Sequence, residues 1–207
     1  MKRWMAALGA VLMLAGGAQA QSPLRVKPYV GAFAPMLPVV AVNDGENPDV
    51  EMQSAPAVGM ELEAAPRTWL RVYAGVTWTS PRLALSGAMV SSPVNGTTSR
   101  TTLLIPSAGV ILAPQLGSLA VQPTLRLGAG AKRYRFDLVE QRHAVTDFTG
   151  DFGVGLSSRD DAPVGVSAEA RWLPSRFAAR NLPVPVIGNP RQDQNDWLFQ
   201  VSARFRP

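Results

Sequence analysis

The chain has 207 residues, carries a formal net charge of +5 and contains no cysteine. This length fits one domain, and the lack of cysteine excludes a disulfide framework, a lipid-modified cysteine and a thiolate metal site. Its basic residues are scattered along the chain, which gives no support for nucleic-acid binding. Charged residues make up only 17% of the sequence, against about a quarter in typical soluble domains.

The first twenty residues differ from the rest of the chain. Met1-Lys2-Arg3 is followed by a nearly continuous apolar run from Trp4 to Ala15 and then by Ala18-Gln19-Ala20. This order is typical of a cleavable secretory signal, and the run is short for the roughly 20 residues of a spanning helix. We therefore predict a signal peptide over 1–20 and a single mature domain over 21–207. The mature chain retains 18 basic and 15 acidic residues.

Apolar residues alternate with polar or small ones through most of the mature chain. In the last segment Trp197, Phe199 and Val201 alternate with Leu198, Gln200 and Ser202. A period of two indicates β-strands rather than helices. The pattern predicts eight strands, at about 24–34, 57–64, 69–79, 102–112, 119–136, 147–157, 164–174 and 196–206.

The predicted connections alternate in length. Three are short turns, at about 65–68, 113–118 and 158–163, and the other four are loops at 35–56, 80–101, 137–146 and 175–195. Short turns on one side and longer loops on the other are typical of outer-membrane barrels, whose single-chain forms have even strand numbers. We therefore predict an all-β fold, an eight-stranded antiparallel up-and-down transmembrane β-barrel.

The composition of the two faces predicts which one lies inside. Glycines are frequent on the polar face, as expected in the crowded interior of an eight-stranded barrel, and the other face is almost free of charge, as lipid requires. A soluble barrel with the faces inverted is the alternative. The predicted interfacial aromatic residues are Trp69, Trp78, Tyr134, Phe136, Phe148, Trp172, Trp197 and Phe205.

The polar face carries charges of both signs. We predict a lumenal ion-pair network that plugs the barrel, made by Arg25, Lys27, Glu61, Glu63, Arg71, Arg126, Lys132, Asp151, Glu169, Arg171 and Arg204. Counting across the hairpins places Glu63 opposite Arg71, and Asp151 beside Arg171 or Glu169. Buried charges must be paired or they strongly destabilise a fold. The alternative is that these groups are solvated at the two mouths of the lumen.

The mature chain resembles the small outer-membrane barrel family typified by OmpA and OmpX. The resemblance rests on Pro28-Tyr29-Val30-Gly31-Ala32-Phe33, on Leu127-Gly128-Ala129-Gly130-Ala131 and on the aromatic last strand. It implies location in the outer membrane of a Gram-negative-type bacterium, contact with outer-membrane lipid and lipopolysaccharide, and insertion by the barrel-assembly machinery. Members of this family usually end on an aromatic residue, whereas here Arg206-Pro207 follows Phe205.

Three prolines, Pro28, Pro106 and Pro123, fall inside predicted strands. Proline removes a ladder hydrogen bond, and a closed barrel has no free edge on which to place it. We therefore predict that at least one of these strands is shortened or bulged.

The sequence offers little sign of chemistry. His143, the one histidine, is predicted in a loop with no nucleophile beside it, and the acids at Asp44, Glu46, Asp49, Glu51 and Asp160-Asp161 match no calcium-loop spacing. We predict no enzyme activity, no cofactor and no metal. The favoured function is a structural or surface-interaction barrel acting through its long loops. A small channel or hydrophobic-ligand carrier ranks second, and a lipid hydrolase third.

Overall fold

A computed structural model describes residues 24–37, 49–86, 100–116, 120–137, 142–159, 164–178 and 191–205. The regular structure of these residues consists of ten strands: β1 (Arg25–Pro35), β2 (Asp49–Met52), β3 (Ala55–Arg67), β4 (Leu70–Thr79), β5 (Leu83–Ser86), β6 (Arg100–Leu112), β7 (Val121–Asp137), β8 (Arg142–Ser158), β9 (Val164–Ala178) and β10 (Arg191–Phe205). This part of the chain contains no helix with the length and hydrophobicity to cross a bilayer. The predicted signal at 1–20 lies outside the described residues.

Eight of the strands close into a barrel in the order β1-β10-β9-β8-β7-β6-β4-β3, with β1 pairing with both β10 and β3. Each neighbouring pair of barrel strands is antiparallel. Barrel strands that follow one another in the chain are also neighbours in the wall. Closure satisfies the backbone hydrogen bonds that an open sheet would leave at its edges. The predicted fold class, an eight-stranded antiparallel up-and-down barrel, is confirmed.

Several strands are longer than predicted at the end of the barrel where the long connections lie. β8 begins at Arg142 rather than 147, β10 begins at Arg191 rather than 196, and β9 ends at Ala178 rather than 174. His143 therefore lies in β8, opposite Phe136, and not in a loop. The alternation of apolar and polar residues stops before these strands do, because outward positions such as Thr146 are polar there.

Two short strands occupy parts of the predicted loops 35–56 and 80–101. β2 and β5 form a separate two-stranded sheet, with Asp49 opposite Ser86 and Met52 opposite Leu83. The prediction of loop in these two places is wrong. Each strand has only four residues, which is too short a stretch for alternation to identify.

The prolines do not disturb the strands, contrary to prediction. β1 pairs with β10 at one constant offset on both sides of Pro28, β6 with β7 on both sides of Pro106, and β7 with β8 through Pro123. In an antiparallel strand a residue directs its N–H and its C=O to the same neighbour. Each proline therefore weakens the ladder to one neighbour, and the adjoining residue pairs keep the register.

The irregularity lies instead in the β3–β4 hairpin. Ala64 is opposite Val72 and Arg67 is opposite Leu70, so β3 contains one extra residue next to the turn. The bulge shifts Glu63 opposite Tyr73. The predicted pairing of Glu63 with Arg71 is wrong, because the turn lies at Thr68 and Trp69, further along the chain than the count across the hairpin assumed.

The side chains of the barrel wall alternate between a charged interior and an apolar exterior. On β7 the Arg126 side chain is buried, whereas its neighbours Leu125 and Leu127 are each more than 40% exposed. On β9 the buried Glu169 and Arg171 alternate with the exposed Val166, Ala168 and Trp172. This is the reverse of a soluble barrel, whose charges face outward to water.

Candidate functional site: the polar interior of the barrel

Every residue predicted for the lumen has a buried side chain. None is more than 8% exposed, and the set is Arg25, Lys27, Glu61, Glu63, Arg71, Arg126, Lys132, Asp151, Glu169, Arg171 and Arg204. The interior faces of seven different strands contribute them. We call Lys27, Glu61, Glu63, Arg126, Asp151, Glu169 and Arg171 the central cluster, because ion pairs link all seven.

Arg171 makes the most extensive contacts in the central cluster. Its Nε and Nη2 donate to the two carboxylate oxygens of Asp151 at 2.9 and 2.7 Å, a fork geometry that matches guanidinium to carboxylate. Its Nη1 lies 3.3 Å from Glu61 Oε1 and also donates to the Gln200 amide oxygen. Its Nη2 donates to Ser107 Oγ as well. The side chain of Arg171 thereby connects its own strand, β9, to four other strands across the lumen.

Arg126 and Lys27 bind the glutamates from the other side. Arg126 Nη2 lies 2.9 Å from Glu61 Oε2 and 2.7 Å from Glu169 Oε2. Lys27 Nζ contacts Glu169, lies 3.3 Å from Glu61 Oε2 and lies 3.2 Å from Glu63 Oε1. Each of the four acids in the central cluster therefore contacts at least one of its three cations. Such pairing is what makes charge in a low-dielectric interior tolerable.

Two tyrosines pack beside the charges and use space that glycines leave free. The Arg126 guanidinium lies 4.0 Å from the centre of the Tyr73 ring, and Tyr73 Oη donates to Asp151 Oδ2 at 2.7 Å. A Cβ at Gly128 would overlap the Tyr73 side chain, and one at Gly59 would overlap Tyr29. Neither tyrosine was predicted as a site residue. Their positions in the sequence would have identified them. Tyr29 lies two residues after Lys27, and Tyr73 lies two residues after Arg71, so each tyrosine is on the same inward face as the charged residue before it.

A second polar group lies nearer the end with the long connections. Lys132 Nζ is 2.6 Å from Asp196 Oδ2 and also donates to the Leu173 carbonyl and to Ser175 Oγ. Between this group and the central cluster the inner faces carry apolar side chains with no exposed area. We call them the apolar layer: Phe33, Leu103, Ile105, Leu173 and Leu198. Along β10 the successive inward residues show this order: Asp196 belongs to the second polar group, Leu198 to the apolar layer, and Gln200 contacts Arg171 of the central cluster.

The predicted interfacial aromatic residues divide into three groups. Exposed outward side chains belong to Trp69, Trp78, Phe148, Trp172 and Phe205, and Trp197 is half-buried. Tyr134 is a correction, because it is fully buried and its hydroxyl donates to the Gln194 amide oxygen at 3.4 Å. Tyr134 is an even number of residues from Arg126 and Lys132 on β7, so its side chain faces inward as theirs do. The side chain of Phe136 lies outside the described residues.

Among the described residues no three histidine or acidic side chains come close enough to hold a metal ion. Asp49 and Glu51 belong to β2, whereas Asp44, Glu46 and Asp160-Asp161 lie outside the described ranges.

No family model and no curated protein matches this chain significantly, whereas several solved structures share its fold. Neisserial surface protein A superposes with a TM-score of 0.59 at 12% identity, over 89% of this chain and 97% of that one. The attachment invasion locus protein of Yersinia pestis, solved with the heparin analogue sucrose octasulfate, gives 0.47 at 11% identity over 88% and 99%. The N-terminal β-barrel domain of Pseudomonas aeruginosa OprF gives 0.47 at 8% identity over 87% and 96%.

These likenesses concern architecture. Of these three structures, Neisserial surface protein A superposes with a TM-score above 0.5, and at 12% identity this superposition establishes a shared fold alone. The predicted resemblance to small eight-stranded outer-membrane barrels is confirmed at that level.

Proposed function

We propose that the chain is an outer-membrane barrel of a Gram-negative-type bacterium, exported with a cleaved signal at 1–20, whose lumen is closed by the central cluster. It acts as a structural or surface-interaction protein and not as an enzyme. The observation that carries this proposal is the inversion of the two faces, with charge inside and apolar side chains outside.

A barrel with charged side chains inside and apolar side chains outside is suited only to a nonpolar solvent. Val30, Val154 and Val166 each have about 60% of their surface exposed on the outer wall, while Arg171 and Asp151 have none. In water this wall would be an apolar surface far larger than the few hundred Å² that monomeric soluble proteins expose. In lipid the apolar side chains of this wall face apolar acyl chains, and the closed barrel leaves no open sheet edge among its eight strands.

The filling of the lumen favours a structural role over a channel. Eight strands enclose an interior just wide enough for side chains. Here the central cluster fills its middle, and the apolar layer separates that cluster from Lys132 and Asp196. An ion crossing the barrel would have to displace both.

A surface role is supported by the topology. The segments joining β1 to β3, β4 to β6, β7 to β8 and β9 to β10 connect strand ends on the same side of the barrel. Three of them are long, and the β2–β5 sheet belongs to two of these. Long loops carried by a rigid barrel are where binding function is commonly located.

The proposal predicts a heat-dependent shift in gel migration. Membranes of a Gram-negative host expressing the full chain are separated, and the outer-membrane fraction is run in SDS with and without boiling. We expect an unboiled band that moves on boiling, with a mature N-terminus at Gln21, because a closed barrel resists cold SDS. A single soluble periplasmic band, unchanged by boiling, would contradict the proposal and favour a soluble barrel.

A further inference from the structure

Two adjacent arginines project from the outer wall of β7. Arg133 and Arg135 both have exposed side chains, and within the described part of the chain neither guanidinium has a hydrogen-bond or ion-pair partner. The residues opposite them on β6 and β8 are uncharged, namely Leu104, Thr146, Thr102 and Ala144. We call these two residues the arginine pair.

The arginine pair begins where the apolar wall ends. The outward positions of β7 before it, as the alternation assigns them, carry no charge: Val121, Pro123, Leu125, Leu127 and Ala129, and then Ala131, whose small side chain is covered. They cover residues 121–131, about the 9–11 residues with which a tilted strand crosses the hydrocarbon core. The cost of an outward arginine is high at the midplane and falls steeply towards the surface. The pair therefore lies at the level of the lipid head groups, at the end with the long connections.

The arginine pair is itself the cationic part of this surface, and the wall below it is apolar. Arg176, another exposed arginine at this end, is neutralised by Asp193 at 3.0 Å. Asp137 lies two residues beyond Arg135 and is opposite Arg142 in the register of the β7–β8 ladder. Phe148 lies opposite Ala131, just below the pair, and is 69% exposed. An amphiphile with an anionic head and apolar chains would match both parts of this surface.

We propose that the arginine pair binds the phosphate of a phosphorylated lipid in the outer leaflet, with the acyl chains against Phe148. This inference rests on the proposed function, which supplies the membrane. Guanidinium groups hold phosphate through paired N–H donors, and residues two apart on a strand lie about 7 Å from each other, close enough for one phosphate to contact both.

The test measures lipid binding to the full mature barrel in detergent micelles. Phosphatidic acid, which carries a phosphate monoester, is titrated and bound lipid is counted by native mass spectrometry, with zwitterionic phosphatidylcholine as the reference lipid. We expect the double variant Arg133→Gln/Arg135→Gln to bind phosphatidic acid at least about tenfold more weakly than the parent. The matched control, Arg67→Gln/Arg176→Gln, removes two other exposed arginines and should bind within about twofold of the parent.

Two results would overturn the inference. One is equal binding by the parent and both double variants. The other is inorganic phosphate displacing phosphatidic acid at equal concentration, which would indicate a site for soluble anions and no role for the chains. All proteins are first checked for the heat-dependent gel shift. A parent with no shift would refute the barrel and this site together, whereas a normal shift without preference for phosphatidic acid refutes this site alone.

Discussion

Replacing Arg171 with methionine is expected to lower the free energy of unfolding by about 3–5 kcal/mol. The substitution keeps much of the side-chain volume but removes the fork on Asp151 and the contact with Glu61. Two buried carboxylates then lose a counter-charge in a place that water does not reach. Urea unfolding of the barrel in lipid vesicles, followed by tryptophan fluorescence, measures the change.

A matched arginine on the same strand provides the control. Arg176 forms an ion pair with Asp193 at 3.0 Å, but both side chains are more than two-thirds exposed. Arg176→Met should therefore cost less than about 1 kcal/mol. Adding Asp151→Asn to Arg171→Met should recover part of the loss, because the buried negative charge disappears with its partner. Equal unfolding midpoints for Arg171→Met and the parent would mean that the central cluster contributes nothing to stability.

Replacing Val154 with arginine is expected to destabilise the barrel in lipid by about 2–4 kcal/mol. Val154 is 61% exposed on the outer wall of β8, opposite Leu125 and Ala170, near the middle of the apolar span. A charge at that depth faces hydrocarbon. The same urea unfolding experiment reports the loss.

Val164→Arg is the control for depth. Val164 is the first residue of β9 and is 52% exposed, at the end of the barrel with the short turns. The same substitution there should cost about 0–1 kcal/mol, because the guanidinium can reach the interface. If both variants were as stable as the parent, the outer wall would face water and the proposed location would be wrong.

The fold was predictable from the sequence because two periodic signals agree. Alternation identified eight strands, and the alternation of short and long connections indicated an up-and-down barrel. Strand ends were less predictable, since alternation disappears once outward positions become polar, as at Thr146 on β8. The position of the turn and the bulge beside Pro66 left no signal in the hydrophobic pattern, and together they place Glu63 opposite Tyr73 and not opposite Arg71.

The charged residues that face the lumen could be predicted from the sequence, but most of their ion-pair partners could not. Alternation assigns a residue to the inner face, and all charged residues assigned in this way are buried. Hairpin counting reaches only neighbouring strands, so it placed Asp151 near Arg171. The pairs Lys27–Glu169 and Arg126–Glu61 cross the lumen between strands that are not neighbours. Their geometry depends on closure of the whole barrel, which no local pattern encodes.

Single cysteines can report whether the apolar wall faces lipid, because the chain has no cysteine of its own. Val154→Cys and Val201→Cys, both on the outer wall, are labelled with a nitroxide and reconstituted into vesicles. Electron paramagnetic resonance then compares collisions with oxygen, which concentrates in lipid, and with a water-soluble nickel chelate. We expect strong oxygen and weak nickel collisions at both positions. Strong nickel and weak oxygen collisions would show that the wall faces water.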